Sequence, residues 1–296
     1  MTHARAVAWM VVATLLWSIA GVVTRHLDSA TSFEATAWRS IFNAAALIVV
    51  LARLRGFPAL AATLKSGDRL LWISGACWAV MFTAFMIAIT MTTVANVLVT
   101  MAIAPLLTAL VARVVLGQQL PARTWAAIVV AGIGIAWMYA HEFALADMRQ
   151  LAGTAVAFGV PVAAAINWTV IQRSRRGEVD LLVAVLIGAV ISTLATAPLA
   201  LPLHASGHDI GLLALLGVAQ LAIPCLIAVS AARQLPAPEA ALLSLLEIIF
   251  GVTWTWLGAD EVPRPHVLAG GALVVGALIA NESLALRRRD DVVDAT

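Results

Sequence analysis

The residues from Thr92 to Gly134, TTVANVLVTMAIAPLLTALVARVVLGQQLPARTWAAIVVAGIG, decide the fold. They form an apolar segment interrupted by Pro105, a short polar turn that ends at Pro121, and a second apolar segment. A shift of 142 positions gives QLPAPEAALLSLLEIIFGVTWTWLGADEVPRPHVLAGGALVVG, residues Gln234 to Gly276, with the same arrangement. The matching residues are Ala95, Pro121, Ala127 and Gly134 in the first stretch and Ala237, Pro263, Ala269 and Gly276 in the second. This repeat predicts that one half of the chain arose by duplication of the other.

The composition excludes a soluble domain. Apolar residues make up 62% of the chain and charged residues 11%, whereas soluble domains carry about 25% charged residues. The two cysteines lie within apolar segments, so a disulfide framework is excluded. The only lysine, Lys65, follows a leucine, which excludes a phosphate-binding GxxxxGK loop. With no zinc or nucleophile motif either, the sequence predicts no enzyme activity, no catalytic residue, no cofactor and no metal.

Ten apolar windows are long enough to cross a hydrocarbon core of ~30 Å. We number them spans 1 to 10, at residues 6–25, 35–54, 70–90, 94–115, 123–141, 151–172, 181–201, 210–232, 239–257 and 266–285. The predicted class is an all-α integral membrane protein with ten transmembrane helices.

The loop charges predict the orientation. Of the 18 Lys and Arg residues, 14 lie at the termini or in the loops on the same side as the termini, and only Arg25, Arg149 and Arg264 lie in the opposite loops. Both termini are therefore expected in the cytoplasm. Because five is an odd number, two five-helix repeats (1–145 and 146–290, followed by a cytoplasmic tail at 291–296) are predicted to be inverted in the membrane.

Several pieces of the chain resemble the drug/metabolite transporter superfamily, and in particular its ten-helix EamA-type exporters. They are LLWSIAGVV (15–23), Arg39 in span 2, AITMTTVANVLVTMAIAPLLTALVARVVLGQQL (88–120) and VAQLAIPCLIAVSAARQLPAPEAALLSLLEIIFGVTWTWLGADEV (218–262). Gln118 and Ile248 depart from the family pattern, which has an acidic residue and a proline there. The resemblance implies export of small metabolites across a bacterial inner membrane, and some such exporters carry aromatic amino acids.

Aromatic residues at helical spacing mark a candidate cavity. Trp78, Phe82 and Phe85 lie at i, i+4 and i+7 of span 3, and the 142-residue shift places Trp78 opposite Gln220. Such a stripe also occurs in cores and on lipid-facing surfaces, so both interpretations are open. The predicted substrate-binding residues are Trp17, Trp78, Phe82, Met101, Asn167, Trp168, Gln220 and Glu247.

Two charged residues lie inside spans. Glu247, near the middle of span 9, carries a proton or meets a substrate ammonium in one interpretation, and only packs between helices in the other. Arg39 is a candidate contact for a substrate carboxylate, although the favoured interpretation has it reach the interface or pair with Glu34 or Asp28. Their predicted depths differ, so no pairing between Arg39 and Glu247 is expected.

Pro105, Pro161 and Pro224 interrupt their spans and are interpreted as kinks or as hinges for alternating access. Glycine and alanine stripes in spans 5 and 10 predict close helix packing. The expected partners are a small-molecule substrate and the lipid bilayer, with no nucleic acid. A monomer suffices for transport, and a homo-oligomer is compatible with the stripes. The leading prediction is an exporter of aromatic amino acids. The open alternatives are a multidrug, nucleoside or other metabolite exporter of the same fold and a non-transporting membrane receptor or assembly protein.

Overall fold

The computed structural model describes residues 1–91, 97, 100–117, 119–143, 148–174, 180–258, 265, 268–277 and 279–281. This part of the chain contains helices and no strand. Gln118 and the predicted tail at 291–296 lie outside the described residues.

Each predicted span contains an apolar helix. In spans 1 to 5 these are His3–Trp17 with Ala20–Thr24, Ser32–Arg55, Arg69–Met91, Ala104–Leu116 and Ala122–Phe143, with a short helix Phe57–Lys65 after span 2. In spans 6 to 10 they are Met148–Arg173, Leu182–Thr196 with the 3₁₀ turn Ala197–Ala200, Gly207–Leu215 with Ile223–Ala232, Ala237–Ser244 with Leu246–Gly258, and Leu268–Asn281. Among the described residues, seven helices are long and apolar enough to cross a membrane, and those of spans 4, 5 and 10 are shorter. The all-helical membrane class is therefore confirmed, while the count of ten crossings stays a prediction.

Several spans are broken near their middle, and proline accounts for two of the breaks. In span 8, Pro224 has no N–H to donate to the carbonyl of Gln220, as a regular α-helix would require. The chain instead forms a π-helical segment, Leu216–Ala222, before the helix resumes at Ile223. In span 4, Pro105 lies in the first turn of Ala104–Leu116, where its missing N–H costs no helical bond. Pro161, in contrast, lies inside the continuous helix Met148–Arg173.

The helix contacts repeat in pairs. Span 3 packs on spans 6 and 7, and the equivalent span 8 packs on spans 1 and 2. Spans 2 and 7 contact each other, as do spans 4 and 9. Spans 5 and 10 meet at Gly134, where an added Cβ would lie 2.7 Å from the carbonyl oxygen of Gly270. A two-fold axis between the repeats explains this pattern. It exchanges each helix of the first repeat with the equivalent helix of the second, so every contact occurs twice or lies across the axis.

Two glycines show the relation at the level of single residues. Gly75 and Gly217 are separated by the same 142 positions as the two stretches of sequence. A Cβ at Gly75 would lie 2.5 Å from Cγ2 of Ile187 in span 7, and a Cβ at Gly217 would lie 2.6 Å from Cβ of Phe42 in span 2. Each helix crossing therefore needs a glycine for its close backbone approach.

The loop contacts show that the repeats are inverted. The loop between spans 1 and 2 meets the residues between spans 7 and 8, where the N–H of Asp28 donates to Oδ1 of Asp209 over 2.8 Å. The loop between spans 2 and 3 meets that between spans 6 and 7, where Nε of Arg55 donates to Oδ2 of Asp180 over 3.1 Å. We call the end with Arg55 and the N-terminus the N-terminal face, and the end with Asp28 the distal face. The first loops of the two repeats lie on opposite faces, as inversion requires.

Candidate functional site

A cavity lies between the two repeats, near the middle of the helices. The empty space there is about 810 Å³, open solvent at its mouth included. Nine of the twelve residues predicted to bind substrate or act as hinges line it. They are Trp17, Arg39, Trp78, Phe82, Met101, Pro161, Trp168, Gln220 and Glu247.

One wall of the cavity is aromatic. The Trp78 ring lies 5.5 Å from the Phe82 ring at an interplanar angle of 32°, and 6.3 Å from the Trp168 ring at 82°. Such edge and tilted pairs are worth about 0.5–1.5 kcal/mol beyond the area they bury, so the wall is fixed before any ligand arrives. Phe85 continues the stripe along span 3 into the same cavity.

Polar side chains also line the cavity. Gln220 donates from Nε2 to the carbonyl oxygen of Trp17 over 3.2 Å, which the break after Trp17 in span 1 leaves without a helical partner. The π-helical segment of span 8 carries Gln220. Glu247 also lines the cavity, and its carboxylate accepts no hydrogen bond from any residue that the structure describes.

Arg39 lies in the cavity wall, and the favoured interpretation from the sequence was wrong. Its side chain is only 1% exposed, so it does not extend to the interface. Glu34 instead accepts hydrogen bonds from the backbone N–H groups of His204 and Ala205. One Nη of Arg39 donates to the carbonyl oxygen of Phe82 over 2.9 Å. A guanidinium inside a membrane costs about 2.5–3.5 kcal/mol on insertion scales and needs such acceptors.

The expected separation of Arg39 from Glu247 was also wrong. Both side chains line one cavity, although they form no direct ion pair with each other. The position of Arg39 along its helix did not predict where its guanidinium lies. The long side chain bonds to the carbonyl oxygen of Phe82 and points into the protein. The helix of span 9 is also interrupted at Leu245, two residues before Glu247.

Asn167 does not line the cavity. Its side chain is fully buried, and Oδ1 accepts a hydrogen bond of 2.6 Å from the Ser74 hydroxyl. The amide therefore joins span 6 to span 3 next to the aromatic wall. Its neighbour Trp168 takes the place in the cavity because successive helical residues point in directions about 100° apart.

Of the three candidate hinges, only Pro161 lines the cavity. Pro105 and Pro224 are buried in the first turn of helical segments, close to cavity residues Ala104 and Leu221. Each follows a break in its span, so both mark interruptions of the helix rather than bends in a continuous one.

The sequence prediction omitted some of the lining. Met81 and Ser244 contribute a thioether and a hydroxyl, beside apolar groups such as Val160, Leu221 and Ile248. Met81 lies three residues after Trp78, on the same face of the helix, so the aromatic stripe could have indicated it. Ser244 had no such signal, because it reaches the cavity only through the break at Leu245.

Comparison with known protein families identifies the class of protein. The model of the EamA-like transporter family matches twice, at residues 4–140 and 151–281. This chain belongs to the EamA-like transporter family. Each match covers one of the two repeats, which confirms the resemblance to the drug/metabolite transporter superfamily. The protein is therefore a multi-pass membrane transporter of small metabolites, and its family consists of transporters rather than enzymes.

A solved structure described as "Crystal structure of protein" has the same fold. The two superpose with a TM-score of 0.80 over 97% of this chain and 99% of that chain, at 18% sequence identity. At this identity the likeness shows the fold alone. A comparison with curated proteins finds no match.

Proposed function

We propose that this EamA-like transporter exports aromatic amino acids across a bacterial inner membrane by alternating access. The observation that carries the proposal is the cavity between the repeats, which is lined by both aromatic rings and polar side chains. Inverted-repeat carriers bind their substrates between the repeats near the bilayer midplane. A solute bound there can be exposed to either side when one repeat moves against the other.

The aromatic wall supports an aromatic substrate. Trp78, Phe82 and Trp168 are each less than 5% exposed and already packed together. Their faces and edges bind flat rings by stacking, and the nearby thioethers of Met81 and Met101 add polarisable contacts. The export direction and the cytoplasmic termini rest on the resemblance to ten-helix exporters and on the charges of the loops.

The experiment is counterflow in liposomes. Purified protein is reconstituted into vesicles loaded with unlabelled phenylalanine, and uptake of labelled phenylalanine is followed. We expect uptake that saturates with substrate and is inhibited by tyrosine and tryptophan. Replacing Trp78 with leucine should lower the apparent affinity about tenfold, because a ring that stacks on the substrate is lost.

A matched control lies on the same helix. Trp72 is 45% exposed on the outside of span 3, so Trp72→Leu should leave counterflow unchanged. Absence of counterflow for all twenty amino acids would refute the proposal. Saturable flux of a nucleoside or of a planar dicationic drug in the same vesicles would then favour the alternative exporters.

A further inference from the structure

Each repeat contributes one charged group to the cavity. Arg39 comes from span 2 in the first repeat, and Glu247 comes from span 9 in the second. Both line the same cavity without forming a direct ion pair, so each charged group can pair with a ligand in the space that the cavity encloses. A substrate that carries both charges can fill this space and contact both repeats at once.

The hydrogen-bonding capacity of the cavity wall is incompletely used. Nε of Arg39 and Nε1 of Trp78 are buried donors with no partner among the described residues. Oε1 of Gln220 is a buried acceptor without a partner, and the Glu247 carboxylate accepts no hydrogen bond there. Buried polar groups are normally satisfied, so unpaired donors and acceptors around one cavity indicate a ligand with complementary groups.

The two kinds of unpaired group match the two ends of an α-amino acid. A carboxylate accepts hydrogen bonds and suits the guanidinium of Arg39, which can bind it with two donors. An ammonium donates hydrogen bonds and suits Glu247 and the Gln220 carbonyl. We propose that Arg39 binds the α-carboxylate and Glu247 the α-ammonium of a zwitterionic substrate, with its ring against Trp78 and Trp168. This inference rests on the proposed function and adds the rule by which the transporter selects its substrates.

This rule predicts weaker binding of molecules that carry only one of the two charges. A monoamine leaves Arg39 without its counter-ion, and a monocarboxylate brings no group for Glu247. A buried charged group that loses its partner in a site of low dielectric constant is expensive. The expected preference for the zwitterion is therefore about tenfold or more over either analogue, or about 1.4 kcal/mol.

The test compares three compounds with the same ring. Phenylalanine, phenethylamine, which lacks the carboxylate, and 3-phenylpropanoate, which lacks the ammonium, compete with labelled phenylalanine in counterflow. Each analogue should inhibit about tenfold less well than phenylalanine. Equal inhibition by all three while phenylalanine is transported would refute this inference and leave the proposed function intact. Absence of counterflow for all twenty amino acids would refute the proposed function itself.

Variants of Arg39 and Glu247 test which residue binds which charged group of the substrate. In Arg39→Gln the preference for phenylalanine over phenethylamine should fall to about threefold or less, while the preference over 3-phenylpropanoate remains. In Glu247→Gln the pattern should reverse. A variant that weakens all three compounds equally would contradict the assignment, because a residue with only a structural role changes affinity without changing selectivity.

Matched controls use exposed residues of the same type. Arg53→Gln, on the same helix as Arg39, and Asp28→Asn, on the distal face, should both keep the wild-type order of inhibition. If Arg39→Gln does not fold, Arg39→Lys keeps the charge but loses the two-donor geometry, and its affinity for phenylalanine should fall more than its affinity for phenethylamine. The competition series on the wild-type protein decides the matter even when neither variant can be purified.

Discussion

Two pairs of loops occupy equivalent places at opposite faces of the transporter, and they are held together by different interactions. On the distal face, the carboxylate of Asp209 accepts the backbone N–H groups of Asp28, Ser29, Ala30 and Ser206 and the hydroxyl of Ser29. Glu34 accepts the backbone N–H groups of His204 and Ala205. Both carboxylates are completely buried. We call this set the distal clasp.

In the described part of the equivalent loops on the N-terminal face, the contacts are between more exposed groups. Arg55 and Asp180 form an ion pair in which the side chains are 50% and 21% exposed, and Arg233 approaches Asp180 only to 3.8 Å. Exposed ion pairs contribute about 0–1 kcal/mol, whereas bonds from backbone N–H groups to a buried carboxylate contribute more and cannot be replaced by water. The repeats are related by symmetry, but among the described residues the distal pair of loops is joined by buried carboxylates and the other pair by an exposed ion pair.

Asp209→Asn should have the largest effect on this comparison. The amide oxygen of asparagine can replace Oδ2, but its NH2 group would face the backbone N–H of Asp28 and the negative charge would be lost, so the free energy of unfolding should fall by about 3 kcal/mol. Thermal unfolding in detergent measures the loss. Asp28→Asn changes an exposed carboxylate in the same loop and should leave stability unchanged. Equal stability of Asp209→Asn and the wild type would refute the clasp.

Glu34→Gln should have a smaller effect, about 1–2 kcal/mol. Oε1 of Glu34 already accepts from both His204 and Ala205, and the amide oxygen of glutamine can keep these bonds. A double variant that combines Glu34→Gln with Asp209→Asn tests whether the two carboxylates act together. Since both residues hold the same pair of loops, the combined loss should be smaller than the sum of the single losses. Strict additivity would show that the two carboxylates act independently.

Asp180→Asn, on the N-terminal face, should have the smallest effect. We expect a loss of less than about 1 kcal/mol, and the loss should shrink as salt is added because the pair is exposed. Arg55→Gln removes the other partner and should match it in size. If Asp180→Asn lowered the free energy of unfolding as much as Asp209→Asn, the two pairs of loops would be held together equally strongly.

Much of the architecture could be predicted because it depends on composition and periodicity. Apolar windows located the helices, and the 142-residue repeat with an odd number of spans in each half required inversion. The aromatic stripe of span 3 also followed from helical spacing alone, since residues at i, i+4 and i+7 share a face. Both close glycine crossings and the loop contacts agree with these predictions.

The site could be predicted only in part. Trp78 and Phe82 were identified by their pattern, but Asn167 was assigned to the cavity although it bonds to Ser74. The direction in which a helix turns each side chain depends on the surfaces that the helix packs against. Apolar residues are spread evenly around the helix of span 6, so its sequence does not show which face lines the cavity. Arg39 was misplaced for a related reason, since the sequence does not show which acceptor a buried guanidinium will find.

By itself the sequence determined that this chain is a helical membrane protein built from two repeats, because the bilayer requires long apolar helices and the same arrangement of segments occurs twice in the chain. Only the tertiary structure decided that Arg39 and Glu247 meet in one cavity, and that the distal loops are joined by buried carboxylates. Those contacts join residues roughly 180 to 210 positions apart. Their formation depends on side-chain direction, helix breaks and the packing of one repeat on the other, which no local pattern encodes.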